Sequence, residues 1–201
     1  MLLQHILLLL LWTGFYALHS FLAYNSTKKY FQQLLQKQFR FYRLGFNVIS
    51  VIYFGAIIYY QFSITTVHVF SENLITKIIG ATIFFSGLII LLIAFKSFNL
   101  AEFFGIEQMN ENVKQQKNNQ PQLIKTGLYK YVRHPLYFGI IVMLSGGIIL
   151  LPMYSTLVFI TATLLYLPVG VGLEEEKLIT EFGEQYLQYK KEVKMLIPFL
   201  Y

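Results

Sequence analysis

Arg133-His134-Pro135-Leu136-Tyr137-Phe138-Gly139-Ile140 opens a run without charge that continues to Leu151. Proline is favoured at the first position of a helix, because the N–H it lacks has no intrahelical partner there. The run therefore predicts a helix that starts at Pro135 and enters an apolar phase. Arg133 and His134 stand at its mouth. The first amides of such a helix are unpaired and carry partial positive charge, so an anionic group can be held there. The same two side chains equally suit a cationic anchor flanking a membrane span.

Composition extends the membrane reading to the whole chain. Of 201 residues, 56% are hydrophobic and only 13% charged, and the mean hydropathy is +0.54. A soluble domain has ~25% charged residues. There is no cysteine, which excludes disulfides, a thiolate nucleophile and a lipoprotein anchor. All ten acidic residues are Glu. A net charge of +6 would suggest nucleic acid in a soluble protein. Here the basic residues cluster between apolar runs, so membrane lipids are the expected partner and nucleic acid is not.

Apolar runs cover residues 2–24, 44–62, 74–95, 135–151 and 155–172. Each is near the ~20 residues a helix needs to cross the hydrocarbon, the fourth being the shortest. The first has no basic residue before it and no small-residue cleavage site after it, so it reads as a retained span rather than a signal peptide. Pro152 sits in a tight turn between the fourth and fifth runs, which predicts an antiparallel helical hairpin. The expected fold is all-α: a polytopic membrane helix bundle of about five transmembrane helices with a helical cytoplasmic tail. The sequence reads as a single domain over residues 1–201, its cofactor half lying at about 121–201.

Orientation follows from Lys and Arg. Fifteen of the sixteen fall between runs one and two, between runs three and four, or in the tail; only Lys77 belongs to the other side. The positive-inside rule places the N-terminus outside and the C-terminus in the cytoplasm. Residues 110–122, rich in Asn, Gln and Lys, form the low-complexity stretch and predict a mobile cytoplasmic loop. In the tail, Leu178, Phe182, Tyr186 and Tyr189 recur at helical spacing and predict one apolar-aromatic helix face. Lys190 reads as a solvated surface charge.

Glu174-Glu175-Glu176 follows the fifth run directly. Glu is favoured at a helix start by the dipole. Three carboxylates beside an apolar phase also repel one another, which makes them candidates for binding a polar or cationic ligand. The hairpin brings this run to the same membrane face as the Arg133-His134 mouth, so two separate signals converge.

Those two blocks resemble a known family. Gly127-Leu128-Tyr129 with Arg133-His134-Pro135-Leu136-Tyr137-Phe138-Gly139 is similar to the cofactor motif of the isoprenylcysteine carboxyl methyltransferase and phospholipid methyltransferase superfamily. Glu174-Glu175, Leu178, Phe182-Gly183, Tyr186, Tyr189, Val193 and Ile197-Pro198 resemble its second block. Shorter matches at His19-Ser20, Tyr42-Arg43, Asn47, Phe98-Asn99-Leu100 and Gly105-Ile106-Glu107-Gln108 resemble the bacterial methanethiol S-methyltransferase branch, which shades into NnrU-type membrane proteins.

The resemblance implies methyl transfer from S-adenosylmethionine inside a membrane bundle, to a small thiol such as methanethiol or to another lipophilic acceptor. Arg133 and the amides after His134 suit the cofactor carboxylate. Glu174 and Glu175 suit its ammonium or ribose. Pro135 and Tyr137 share the helix mouth with His134, and Gly139 lets the cofactor or a neighbouring helix approach. Tyr186 and Tyr189 are candidates for covering the adenine or for core packing. Such a displacement at carbon needs no metal and no covalent enzyme intermediate. Positioning alone is worth up to ~7–11 kcal/mol in favourable systems. Catalytic candidates are Arg133, with His134 and His19 as groups able to assist loss of a thiol proton; His19 also suits a helix-end hydrogen bond. Gly80, Gly87 and Ser145-Gly146-Gly147 read as close helix packing. Two alternatives share parts of the pattern: an NADPH-dependent membrane reductase of the sterol-reductase type, and a non-catalytic NnrU-like membrane protein. The tail has no Arg or Trp and carries the Glu-Glu, Phe-Gly, Tyr pattern, which favours the methyltransferase.

Overall fold

The computed structural model describes residues 1–109 and 122–197. Among them the chain forms helices α1 (Leu2–Ala23), α2 (Asn25–Leu35), α3 (Tyr42–Ser63), α4 (Leu74–Phe95), α5 (Leu100–Phe104), α6 (Ile106–Met109), α7 (Pro135–Leu150), α8 (Tyr154–Phe182) and α9 (Glu184–Glu192), with 3-10 turns at Gln36–Phe41 and Gly127–Lys130. The extended pieces are two isolated bridges. This is an all-α polytopic membrane fold. α1, α3, α4 and α8 are long and apolar enough to cross a membrane, and α7 is a shorter apolar helix of 16 residues. Of the low-complexity stretch 110–122, all but Gln122 lies outside the described residues.

The chain divides into two compact units. The first comprises Met1–Thr65 and Asn99–Pro121. Here α1 and α3 run antiparallel: the Tyr60, Tyr53 and Tyr42 hydroxyls donate to the carbonyls of Gln4, Leu11 and Leu22. Leu8, Trp12 and Ile57 are fully enclosed between them. The Trp12 indole donates to the Gln61 amide oxygen at 3.2 Å, which satisfies a polar pair inside the span. Arg43 and Asn47 both donate to the Phe103 carbonyl, at 3.1 and 3.2 Å, and tie α5 to α3. Gly105, at φ +85°, makes that approach possible, since a Cβ there would stand 2.8 Å from the Leu44 amide.

The second unit comprises Thr66–Phe98 and Gln122–Tyr201. Its framework is an antiparallel contact of α4 with α7. Cβ atoms built on Gly87 and Gly146 would stand 2.4 and 2.2 Å from the backbone nitrogens of Met143 and Phe84. Glycine is thus what allows the two backbones to touch. α4 starts at a capping box in which Asn73 and Thr76 satisfy each other's backbone amides. The α7–α8 turn is stitched to residues 66–69: Val69 N donates to Pro152 O, Tyr154 N to Val67 O and Ser155 N to Thr66 Oγ1. The hairpin predicted at Pro152 is present.

The helices of the tail differ from the reading. α8 does not stop at the membrane face; its apolar part, residues 155–172, continues as one helix through Phe182. Gly183, at φ +53°, then breaks the chain before α9. Leu178 and Phe182 therefore do not share a helix face with Tyr186 and Tyr189. The sequence spacing was helical, but the glycine takes a left-handed conformation that no continuous helix contains.

Candidate functional site

The site is built where α7 begins and α8 leaves its apolar part. Val132 pairs in parallel with Lys194, and the amides of Arg133 and His134 donate to the carbonyls of Lys194 and Met195 at 2.8 and 3.1 Å. This short ladder folds the tail back over the α7 mouth. Leu196 then packs with Leu167 and Val171, against Tyr137, Ile141 and Met195.

Inside the fold-back lies a closed charge cluster. Arg133 Nε and Nη2 both donate to Glu175 Oε1, at 3.0 and 2.7 Å. His134 Nε2 and the Tyr186 hydroxyl each lie 3.3 Å from the same oxygen. The Lys190 ammonium binds the other oxygen, Oε2. Arg133 Nη1 donates to the carbonyls of Lys190 and Val193. Arg133 and Glu175 are 9% and 7% exposed, so the pair is buried, with a hydrogen bond on each guanidinium nitrogen and on both carboxylate oxygens, the condition under which buried charge is tolerated. Burial works against the Glu175 charge, but the bonds from Lys190 and Arg133 overcome it and hold its carboxyl down at about 2.

Glu174 is placed differently. Its side chain is 40% exposed, with Oε2 3.6 Å from His134 Nδ1, and it engages the Tyr137 hydroxyl. Gly170 leaves room for Tyr137: a Cβ there would lie 3.3 Å from its hydroxyl oxygen. His134 thus stands between the two carboxylates, Nε2 toward the buried one and Nδ1 toward the open one. Pro135 caps the mouth as the first helical residue. Leu136 and Tyr137 carry the first amides, which a helix leaves without intrahelical acceptors.

Tyr186 and Tyr189 are 1% and 3% exposed. Tyr189 donates to the Tyr129 carbonyl at 2.6 Å, and burial pushes its hydroxyl up to about 12. Burial also pushes the Tyr129 hydroxyl up, with the Glu174 charge adding to it. Both tail tyrosines are packed inside the protein. Gly139 faces α4, where its missing Cβ would stand 2.9 Å from Leu91. His19 lies in the first unit, between the rings of Phe15 and Phe46, and its Nδ1 is buried without a hydrogen-bond partner among the described residues.

Lys190 is exposed, as the sequence suggested, but the sequence missed that its ammonium pairs with Glu175. The tail ladder at Lys194 and Met195 was also missed. A helical register places Lys190 four residues after Tyr186, which is the one signal that linked it to the cluster. Nothing local marks the ladder.

The profile of the isoprenylcysteine carboxyl methyltransferase (ICMT) family matches residues 87–180. Over 191 residues the chain is 30% identical to a methanethiol S-methyltransferase of Crocosphaera subtropica, covering 93% of this chain and 72% of that one. The chain belongs to the isoprenylcysteine carboxyl methyltransferase family. It is also 36% identical to methanethiol S-methyltransferase 1 of Bradyrhizobium diazoefficiens over 117 residues, 58% of this chain but only 40% of that one. The protein-S-isoprenylcysteine O-methyltransferase of Saccharomyces cerevisiae is 29% identical over 133 residues, 66% of this chain and 54% of that one. No solved structure matches the chain. The region that matches the ICMT profile holds all of α7 and nearly all of α8, hence Arg133, His134, Glu174 and Glu175; it ends before α9 with Tyr186 and Lys190.

Proposed function

We propose that this chain is an S-adenosylmethionine-dependent membrane methyltransferase acting on a small thiol such as methanethiol or on another lipophilic acceptor, with residues 121–201 as its cofactor half. The observation that carries the reading is the pairing at one mouth of an open carboxylate, Glu174, with a helix N-terminus and His134. That set suits a zwitterion: a carboxylate for an ammonium, and helix amides for a carboxylate. Bound S-adenosylmethionine supplies an electrophilic methyl group on a sulfonium. Glu174, positioned by His134, holds the ammonium, and the amides of Leu136 and Tyr137 hold the carboxylate. Arg133 and Glu175 act one step back, fixing His134 and folding the tail over the mouth. Tyr137 orients Glu174. Tyr186 and Tyr189 support the site from within the packed tail, through Glu175 and the Tyr129 carbonyl, Pro135 starts the helix at its mouth, and Gly139 lets α7 seat against α4.

The length of α7 supports a lipophilic acceptor. Sixteen residues span about 24 Å, short of the ~30 Å hydrocarbon. A mouth sunk near the lipid boundary is reachable laterally by an apolar molecule and from water by a polar cofactor. His19 is our candidate proton acceptor within the first unit; its buried Nδ1 has no hydrogen-bond partner among the described residues.

Calorimetry with S-adenosylhomocysteine tests the cofactor reading. Glu174→Gln is expected to lose a charge-assisted bond worth ~1.5–3 kcal/mol, roughly 10- to 150-fold in affinity, with little change in melting temperature. Unchanged affinity would remove Glu174 from the site. Cells expressing the protein and fed methanethiol should release dimethyl sulfide above an empty-vector control. If they do not, while a prenyl-cysteine or lipid acceptor is methylated, the thiol assignment fails and the methyltransferase reading stands.

A further inference from the structure

The linker joining α1 to α3 carries charge of one sign. No acidic residue occurs before Glu72, whereas Lys28, Lys29, Lys37, Arg40 and Arg43 all fall between the end of α1 and the first turn of α3. Because α1 and α3 are antiparallel spans, the linker is tethered at both ends to one membrane face. At 100° per residue α2 divides into three sides. Thr27, buried, lies beside Phe31 and Leu35, both half-buried, and Phe31 packs on the Tyr42 ring at 5.4 Å. Tyr30 and Leu34, one turn apart on the adjacent flank, are 62% and 61% exposed. Asn25, Lys29, Gln32 and Gln33 make the polar side, all exposed. The 3-10 turn that follows carries exposed Lys37 and an exposed Phe41 ring, with the Arg40 guanidinium 4.8 Å above it.

A helix held along a membrane, with an exposed apolar flank beside a cationic side, has the pattern of an interfacial amphipathic helix. Charge of one sign then selects among headgroups. We infer that α2 and its 3-10 turn form a docking surface for anionic phospholipid of the face they lie on. Tyr30, Leu34 and Phe41 enter the acyl boundary, and Lys29 and Lys37 hold headgroup phosphates. This surface lies in the first unit and is independent of the site at Glu174. A soluble acidic partner is the competing occupant, but it offers no apolar phase for the Tyr30–Leu34 flank.

Hydrogen exchange of the full-length protein in nanodiscs tests this. Replacing part of a phosphatidylcholine bilayer with phosphatidylglycerol is expected to slow exchange over residues 25–35. The slowing should be about 5-fold per engaged lysine, roughly 30-fold for two, and should weaken at high salt. The Lys29→Gln/Lys37→Gln double variant should lose it, and Lys77→Gln should keep it. Unchanged exchange across α3 in the double variant shows that the unit is still folded. Equal exchange of the parent in the two lipids, or slowing that survives the double variant, overturns the inference. So does protection that appears only when a soluble acidic peptide is added.

Discussion

Glu175 receives Arg133, His134, Tyr186 and Lys190, so replacing it strands a buried guanidinium. Removing one member of a buried ion pair costs ~3–5 kcal/mol, and Glu175→Gln should lower the melting temperature accordingly. The same carboxyl sets an acid limit. Its folded value of about 2 lies below the unfolded 4.5. Its contribution is therefore present in full above 4.5 and is lost as pH falls through the interval toward 2. Melting followed from pH 5 to 2 should show a steeper loss in the parent than in Glu175→Gln; parallel curves would mean that Glu175 is not held down. Lys190→Ala should cost about 1 kcal/mol or less, because its side chain is 42% exposed and screened. At this scale the sequence was legible for residue type but not for pairing. Arg133 and Glu175 were both picked out, yet each as a ligand for something external. That they are ligands for each other depends on a contact 42 residues apart in sequence, which no local pattern encodes.

Elements were more legible because hydropathy and caps are local. The third apolar run, residues 74–95, coincides with α4, bounded by the Asn73 capping box. Pro135 and Pro152 set the start of α7 and its turn into α8. The glycines gave less, because a glycine that permits contact and one that merely lacks a side chain read alike. Gly146 and Gly147 separate the two cases. A Cβ on Gly146 would lie 2.2 Å from the Phe84 amide nitrogen, whereas on Gly147 it would meet Phe84 Cδ2 at 3.9 Å, an ordinary contact. Gly146→Ala must therefore push α4 and α7 apart, at a cost of at least the ~1–3 kcal/mol typical of overpacking. Gly147→Ala adds helix propensity without a clash and should leave the melting temperature unchanged or raised. Equal effects at the two positions would contradict the contact.

Over the whole molecule, charge is the expected guide to orientation. Five apolar runs that crossed in turn would be expected to leave the segments 25–43 and 96–134 and the tail on one side of the membrane. Those three segments hold every Lys and Arg except Lys77. Cations are retained on the cytoplasmic side during insertion, so the Glu174 mouth should open to the cytoplasm, where nucleotide-derived cofactors are made. Lys77 pairs with Glu72 at 3.0 Å, which offsets the one cation expected outside. Reporter fusions within residues 110–122 and after Tyr201 should report cytoplasm, and a fusion at Ser71 should report the opposite compartment. The linker can be tested against the rest of the charge. Neutralising all five of its basic residues still leaves ten on the same face, so orientation should hold while the anionic-lipid protection of α2 disappears. An external signal at residues 110–122 in the parent would place the mouth away from its cofactor and sink the proposed reaction, whatever the site's geometry.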